Sequence, residues 1–176
     1  MDCNDTFDFE DGYGPVPAHK HPNGGGWVAD SARVSDNAQV FDDARVSGNA
    51  RVSGDARVSG DARVFDDARV SGNARVSGDA WVSGDARVFD DAWVSGDARV
   101  KQTPVVISGL CYPVAITKEH ACVGCECHTH DAWRGFSQKE ILKMDGRSAS
   151  DFYPQLIALL DVLRPDKPAK QIAEFP

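Results

Sequence analysis

Val52-Ser53-Gly54-Asp55-Ala56-Arg57-Val58-Ser59-Gly60-Asp61-Ala62-Arg63-Val64 is the stretch whose reading decides the fold. A six-residue unit, V-S-G-D-A-R, follows itself without a gap and extends in both directions. Valine recurs at every sixth position from Val28 to Val100, thirteen times in all. Alanine stands four residues after each of the first twelve, from Ala32 to Ala98. Phe-Asp-Asp and Ser-Gly-Asn are the common variants of the middle of the unit. Six residues are too few for a helical repeat and suit a short strand plus a turn. The β-branched valine points inward, Gly-Asp or Gly-Asn supplies the turn, and the small alanine lets the chain pass a corner. One unit cannot bury its valine alone. Stacked coils give each strand backbone partners above and below at ~4.8 Å, so the period specifies a β-solenoid.

The segments outside the repeat are expected to close its ends. Residues 1–26 are acidic and then rich in Gly and Pro, with too few apolar residues for a core of their own, and read as an extended cap. Within them His19 and His21 are either metal ligands, a catalytic base, or polar groups that hydrogen-bond the open end of the solenoid. The repeat fills 27–100. Residues 101–164 read as a small α+β module, and 165–176 as a loose tail. In the module, Val105-Val106-Ile107 and Tyr112 to Thr117 read as strands joined by Gly109. His120 to Thr129 is another strand or a tight loop. Ser137 to Met144 reads as a short helix with Ser137 and Glu140 forming a capping box. A second helix, from near Ala149 to Leu163, presents Phe152, Leu156, Leu159, Leu160 and Leu163. Pro154 fits near its first turn, and Pro165 ends it.

Composition narrows the classes of function. The net charge is −8 and the pI about 5.0, which argues against a protein that coats DNA through a broad basic surface; a nucleic-acid partner is not expected. No apolar run approaches membrane-spanning length, and the N-terminus lacks the basic and apolar regions of a signal peptide. Five cysteines, three of them at 122, 125 and 127, point to a reducing cytosol with free or metal-bound thiols rather than a disulfide framework. The cluster Cys122, Cys125, Cys127, His128 and His130 has thiolate and imidazole spacing that suits tetrahedral zinc. The same residues also permit a Cys125–His128 nucleophile pair or buried structural cysteines. Zinc is the one cofactor the sequence suggests.

The valine–alanine pattern over 27–100 resembles the hexapeptide-repeat family. That resemblance implies a left-handed parallel β-helix with three units per coil, roughly four coils and about 20 Å tall. A four-sided coil of 24 residues competes, supported by Phe41, Phe65 and Phe89, which recur at that interval. The lead-in from Gly14 to Val28, with Ala18-His19-Lys20-His21-Pro22 at its centre, resembles the start of phage- and prophage-encoded members. So does the closing pattern of Gly124-Cys125, His128-Thr129, Trp133, Phe136, Ile141 and Met144. These likenesses imply a phage or prophage origin, a bacterial host cytosol as the site of action, and a homotrimer with ligand clefts between shafts.

With 18 residues per coil, the residues just before the valines fall into three outward columns. Trp27, Arg45, Arg63, Trp81 and Arg99 form one. Arg33, Arg51, Arg69 and Arg87 form the second, and Gln39, Arg57, Arg75 and Trp93 the third. The turn aspartates flank them, so a solvated Arg–Asp lattice of weak pairs is one reading. The sharper one makes Arg45, Arg63, Trp81, Arg99, Arg57, Arg75 and Trp93 a binding surface, because guanidinium pairs with phosphate or carboxylate and exposed Trp stacks or packs on a partner. The function expected is non-enzymatic: an oligomer that sequesters an anionic, nucleotide-like small molecule or blocks a host defence protein. An acyl-CoA-dependent acyltransferase is the enzymatic alternative, although no histidine interrupts the shaft. A structural spacer or virion accessory is the third.

Overall fold

The computed structural model describes residues 5–35 and 37–163. They form two compact units, the first ending at Thr129 and the second beginning at His130.

In the first unit, β1 (Thr6–Phe7) and β2 (Val16–Lys20) precede a run of thirteen short strands, one for each repeat unit. These strands stack into three parallel sheets, which are the sides of a β-solenoid. The first side holds β3 (Trp27–Ala29), β6 (Arg45–Val46), β9 (Arg63–Val64), β12 (Trp81–Val82) and β15 (Arg99–Val100). The second holds β4 (Arg33–Val34), β7 (Arg51–Val52), β10 (Arg69–Val70) and β13 (Arg87–Val88). The third holds β5 (Gln39–Val40), β8 (Arg57–Val58), β11 (Arg75–Val76) and β14 (Trp93–Val94). Register is set by the repeat: Trp27 lies opposite Arg45, Arg45 opposite Arg63, and Trp81 opposite Arg99. One coil is therefore 18 residues and three-sided, and the shaft makes about four turns.

The 24-residue recurrence of Phe41, Phe65 and Phe89 has a different cause from the four-sided coil it suggested. Twenty-four residues are one coil and one further side, so each Phe-Asp-Asp turn falls on a new corner. No corner carries two such bulky turns in adjacent coils. Asp42, Asp66 and Asp90 take the position that glycine holds in the Ser-Gly turns, with φ of 58°, 60° and 57°.

Inside the shaft every valine from Val40 to Val100 and every alanine from Ala38 to Ala98 is at most 1% exposed. Full burial of a valine stabilises by about 1.5–3 kcal/mol. The backbone closes the stack: the Arg51 N–H donates to the Ala68 carbonyl and the Ser53 N–H to the Val70 carbonyl, each at 2.9 Å. Turn side chains add bonds between coils, as when the Asn73 amide donates to Asp91 at 3.1 Å.

Residues before the repeat cover its first edge. β2 pairs antiparallel with β3. The loop after β2 reaches β5, where the Gly26 N–H donates to the Val40 carbonyl at 2.8 Å and the Val40 N–H to the Asn23 carbonyl at 3.3 Å. Gly24 passes so close that a Cβ there would lie 2.5 Å from the Val40 carbonyl oxygen.

At the far end, β16 (Val105–Ile107), β17 (Val114–Ile116), β18 (His120–Val123) and β19 (Glu126–Thr129) form an antiparallel meander. Ala115 and Cys122 join the shaft's apolar core. The Arg87 N–H donates to Thr103 Oγ1 at 3.2 Å, which satisfies a donor that the next coil would otherwise take. The stretch from His120 to Thr129 is thus a hairpin, strand and tight turn together.

The second unit is helical. α1 (His130–Gly135), which the sequence reading did not anticipate, carries buried Trp133. α2 (Gln138–Leu163) is broken by non-helical Asp145 and Gly146 into segments 138–144 and 147–163. The expected capping box forms: the Ser137 N–H donates to Glu140 Oε2 at 2.8 Å, and the Glu140 N–H donates to Ser137 Oγ at 3.4 Å. The later segment begins before Ala149, so Pro154 lies inside the helix rather than in its first turn. Phe152, Leu156 and Leu160 are buried, whereas Leu159 and Leu163 are half-buried. Pro165 and the tail lie outside the described residues. No helix among the described residues is long and apolar enough to cross a membrane.

Candidate functional site

The outward residues of the first side form two neighbouring hollows, and the N-terminal segment decides which of them is open. The Glu10 N–H donates to Asp8 Oδ1 at 2.8 Å, a local turn that holds Glu10 at φ 57°. From there its carboxylate lies 2.6 Å from Arg63 Nη2 and 3.1 Å from Arg45 Nη1. The hydrogen bond from Arg63, together with the positive field of both guanidiniums, holds the Glu10 carboxyl below its usual value of 4.5. Phe7 stacks on Trp27 with centroids 4.4 Å apart, and the Arg45 guanidinium sits 5.3 Å from the Phe7 ring centre. Ser47 Oγ donates to Asp11 at 3.0 Å. Arg45 and Arg63 are therefore engaged within the chain, around a hollow of about 110 Å3 bordered by Glu10 and Asp11.

Below it the side opens. A cleft of about 390 Å3 is lined by Phe65, Asp66, Trp81, Ser83, Gly84, Arg99 and Lys101. Trp81 lies between Arg63 of the coil above and Arg99 of the coil below, with their guanidiniums 5.1 and 4.7 Å from its ring centre. Such contacts contribute about 0.5–1 kcal/mol each at exposed sites, and they fix the indole. Phe65 meets Trp81 edge-on at 5.9 Å. Arg99 and Lys101 are exposed and, among the described residues, form no ion pair. Asp66 accepts a hydrogen bond from the Gly84 N–H at 3.0 Å, which leaves its carboxylate spare acceptor capacity toward the cleft.

The seven residues singled out from the sequence do not converge. Arg45, Arg63, Trp81 and Arg99 share the first side. Arg57, Arg75 and Trp93 share the third, where the Arg75 guanidinium lies 5.2 Å from the Trp93 ring centre and Trp93 Nε1 donates to Ser77 Oγ at 3.4 Å. Among the described residues the Arg–Asp lattice is not formed: the shaft arginines in ion pairs there are Arg45 and Arg63, and their partner is Glu10. Sequence reasoning missed Glu10, Phe65 and Lys101. The run Phe7-Asp8-Phe9-Glu10 was the available signal, since it offers aromatic rings and carboxylates within four residues to a shaft rich in Arg and Trp.

The cysteine–histidine segment is dispersed along the hairpin. Cys122 and Cys127 are cross-strand partners joined by a disulfide, which departs from the expected free or metal-bound thiols. Cys125 is exposed in the turn between them. His128 Nε2 lies 3.0 Å from Glu126 Oε2, and His130 opens α1 in the second unit. Among the described residues no group of three or more His, Cys, Asp or Glu side chains is arranged to hold a metal ion. His19 Nδ1 is 2.9 Å from Asp30 Oδ1 at the surface, while His21 is buried near the capping loop.

A family model described as the YdcK beta solenoid repeat matches residues 38–54, 44–60, 68–84 and 80–96. All four segments lie in the shaft, and with the three stacked parallel sheets they show a repeat β-helix protein. No curated protein and no solved structure matches the chain.

Proposed function

We propose that this chain is a binding protein of phage or prophage type. Its shaft holds an anionic, nucleotide-like small molecule in the cleft of Phe65, Trp81, Arg99 and Lys101. The single observation that carries the reading is the pair of exposed cations, Arg99 and Lys101, which have no carboxylate partner among the described residues and stand beside an aromatic wall. Arg99 supplies a planar fork of donors for phosphate or carboxylate, and Lys101 a compact charge. Phe65 offers a ring against which a base or other flat body packs, and Asp66 can accept from a hydroxyl or amino group. The cleft's volume is in the range of small-molecule sites. Sequestration in a bacterial host cytosol follows from the proposed origin; there, glutathione and thioredoxin would hold Cys122 and Cys127 as thiols.

The test is native mass spectrometry of the full chain after exposure to a small-molecule extract of bacterial cells. The reading expects added mass of nucleotide size that is absent from Arg99→Ala and Lys101→Ala chains. Retention of the same mass by both variants would place the ligand elsewhere and refute the cleft.

A further inference from the structure

Two charged ladders on the shaft match each other in length and pitch. Arg33, Arg51, Arg69 and Arg87 stand in register on the second side. All four are exposed, and among the described residues none forms an ion pair. Asp43, Asp61, Asp79 and Asp97 occupy successive coils at the corner between the third and first sides, each two residues before a first-side strand. They too are exposed. Asp97 lies 3.5 Å from His120 Nε2, and the other three have no ion-pair partner among the described residues. Each ladder stacks like charges at a coil spacing of ~4.8 Å, well inside the distance over which physiological salt screens them.

We infer that the aspartate ladder of one copy docks on the arginine ladder of another, shaft beside shaft. The occupant is identified by complementarity: opposite sign, the same number of charges and the same rise, both dictated by one 18-residue coil. In a three-sided coil the corner between the third and first sides is opposite the second side. The contact is therefore heterologous, and it repeats from copy to copy instead of closing on itself. That differs from the closed trimer implied by the hexapeptide-repeat resemblance. One ladder on one ladder buries little area, so the association is weak and salt-sensitive.

Sedimentation velocity of the full chain under reducing conditions tests it. Mass should rise with protein concentration at about 20 mM salt and fall to that of a monomer at about 500 mM, where screening is strong. Two folded variants, Arg51→Glu with Arg69→Glu and Asp61→Arg with Asp79→Arg, should each be monomeric alone. They should associate when mixed, because each then meets a ladder of opposite sign. A wild-type chain that stays monomeric at every salt, or association that survives both charge reversals, would overturn the inference. So would a monomer whose second side binds inorganic polyphosphate in proportion to its arginines, which would assign the stripe to a polyanion.

Discussion

Asp66 accepts the backbone N–H of Gly84, one coil further on, at 3.0 Å from a backbone held at φ 60°. Asp42 does the same for Gly60 at 3.3 Å. Left-handed backbone costs an L-residue roughly 1–2 kcal/mol, and here the carboxylate offsets part of that by accepting a hydrogen bond from the next coil. At Gly54, φ is 69° and a Cβ would lie 3.0 Å from Gly72 N and O. Gly54→Ala should therefore destabilise the shaft by roughly 1–3 kcal/mol. Gly54→Asp should destabilise it less, because its carboxylate can take the Gly72 N–H as Asp42 and Asp66 take theirs. Thermal unfolding of the two variants checks the order; equal losses would contradict it.

The bridge from Glu10 to Arg63 and Arg45 sets a pH dependence. The folded-state carboxyl is held below its usual 4.5, so its contribution is complete above the unfolded value and is lost as pH falls through the lowered folded value. Glu10→Gln should lower the melting temperature near neutral pH. The difference from wild type should shrink below about pH 4 and in high salt. A difference that is constant across that range would show that Glu10 acts through packing alone.

Cys122 and Cys127 enclose a short loop, and in the chain-entropy picture closing it stabilises by roughly 2 kcal/mol. In a chain with Cys111→Ser and Cys125→Ser, reduction should lower the melting temperature of the first unit. An unchanged melting temperature would mean that strand pairing and the burial of Ala115 and Cys122 hold the meander without the disulfide.

Ser137→Ala should destabilise the 138–144 segment by about 1 kcal/mol, since it removes the acceptor of the Glu140 N–H and the hydroxyl that donates to Glu140 Oε2 at 2.6 Å. Hydrogen exchange of the Glu140 and Ile141 amides should speed up while exchange in the shaft is unaltered. Unchanged exchange at those two amides would contradict the capping role.

The shaft was legible because one short period fixes both which residues are buried and which stack: Val52 repeats at Val70, and Arg51 at Arg69, with nothing else to decide. The number of sides was less legible. A 24-residue recurrence of phenylalanine is equally consistent with a fourth side and with a stagger over three, and only the pairing of Trp27 with Arg45 separates them. The cleft was half legible. Trp81 and Arg99 sit in the repeat, but the residue that pairs with Arg63, Glu10, is 53 positions away, a separation that no local pattern encodes. The hairpin at Cys122–Cys127 was obscured for a related reason: its cysteines suit metal ligation by spacing, and only strand register places two of them opposite each other.

Isothermal titration of the full chain with a nucleoside diphosphate tests the central proposal most directly. The expected result is saturable binding at one site per chain, weakened at least about tenfold by Arg99→Ala, which corresponds to about 1.4 kcal/mol. Binding should weaken further with salt and be unchanged by Arg51→Ala on the second side. Absence of saturable binding, or equal affinity in the Arg99→Ala chain, would contradict an anion site in the Trp81 cleft.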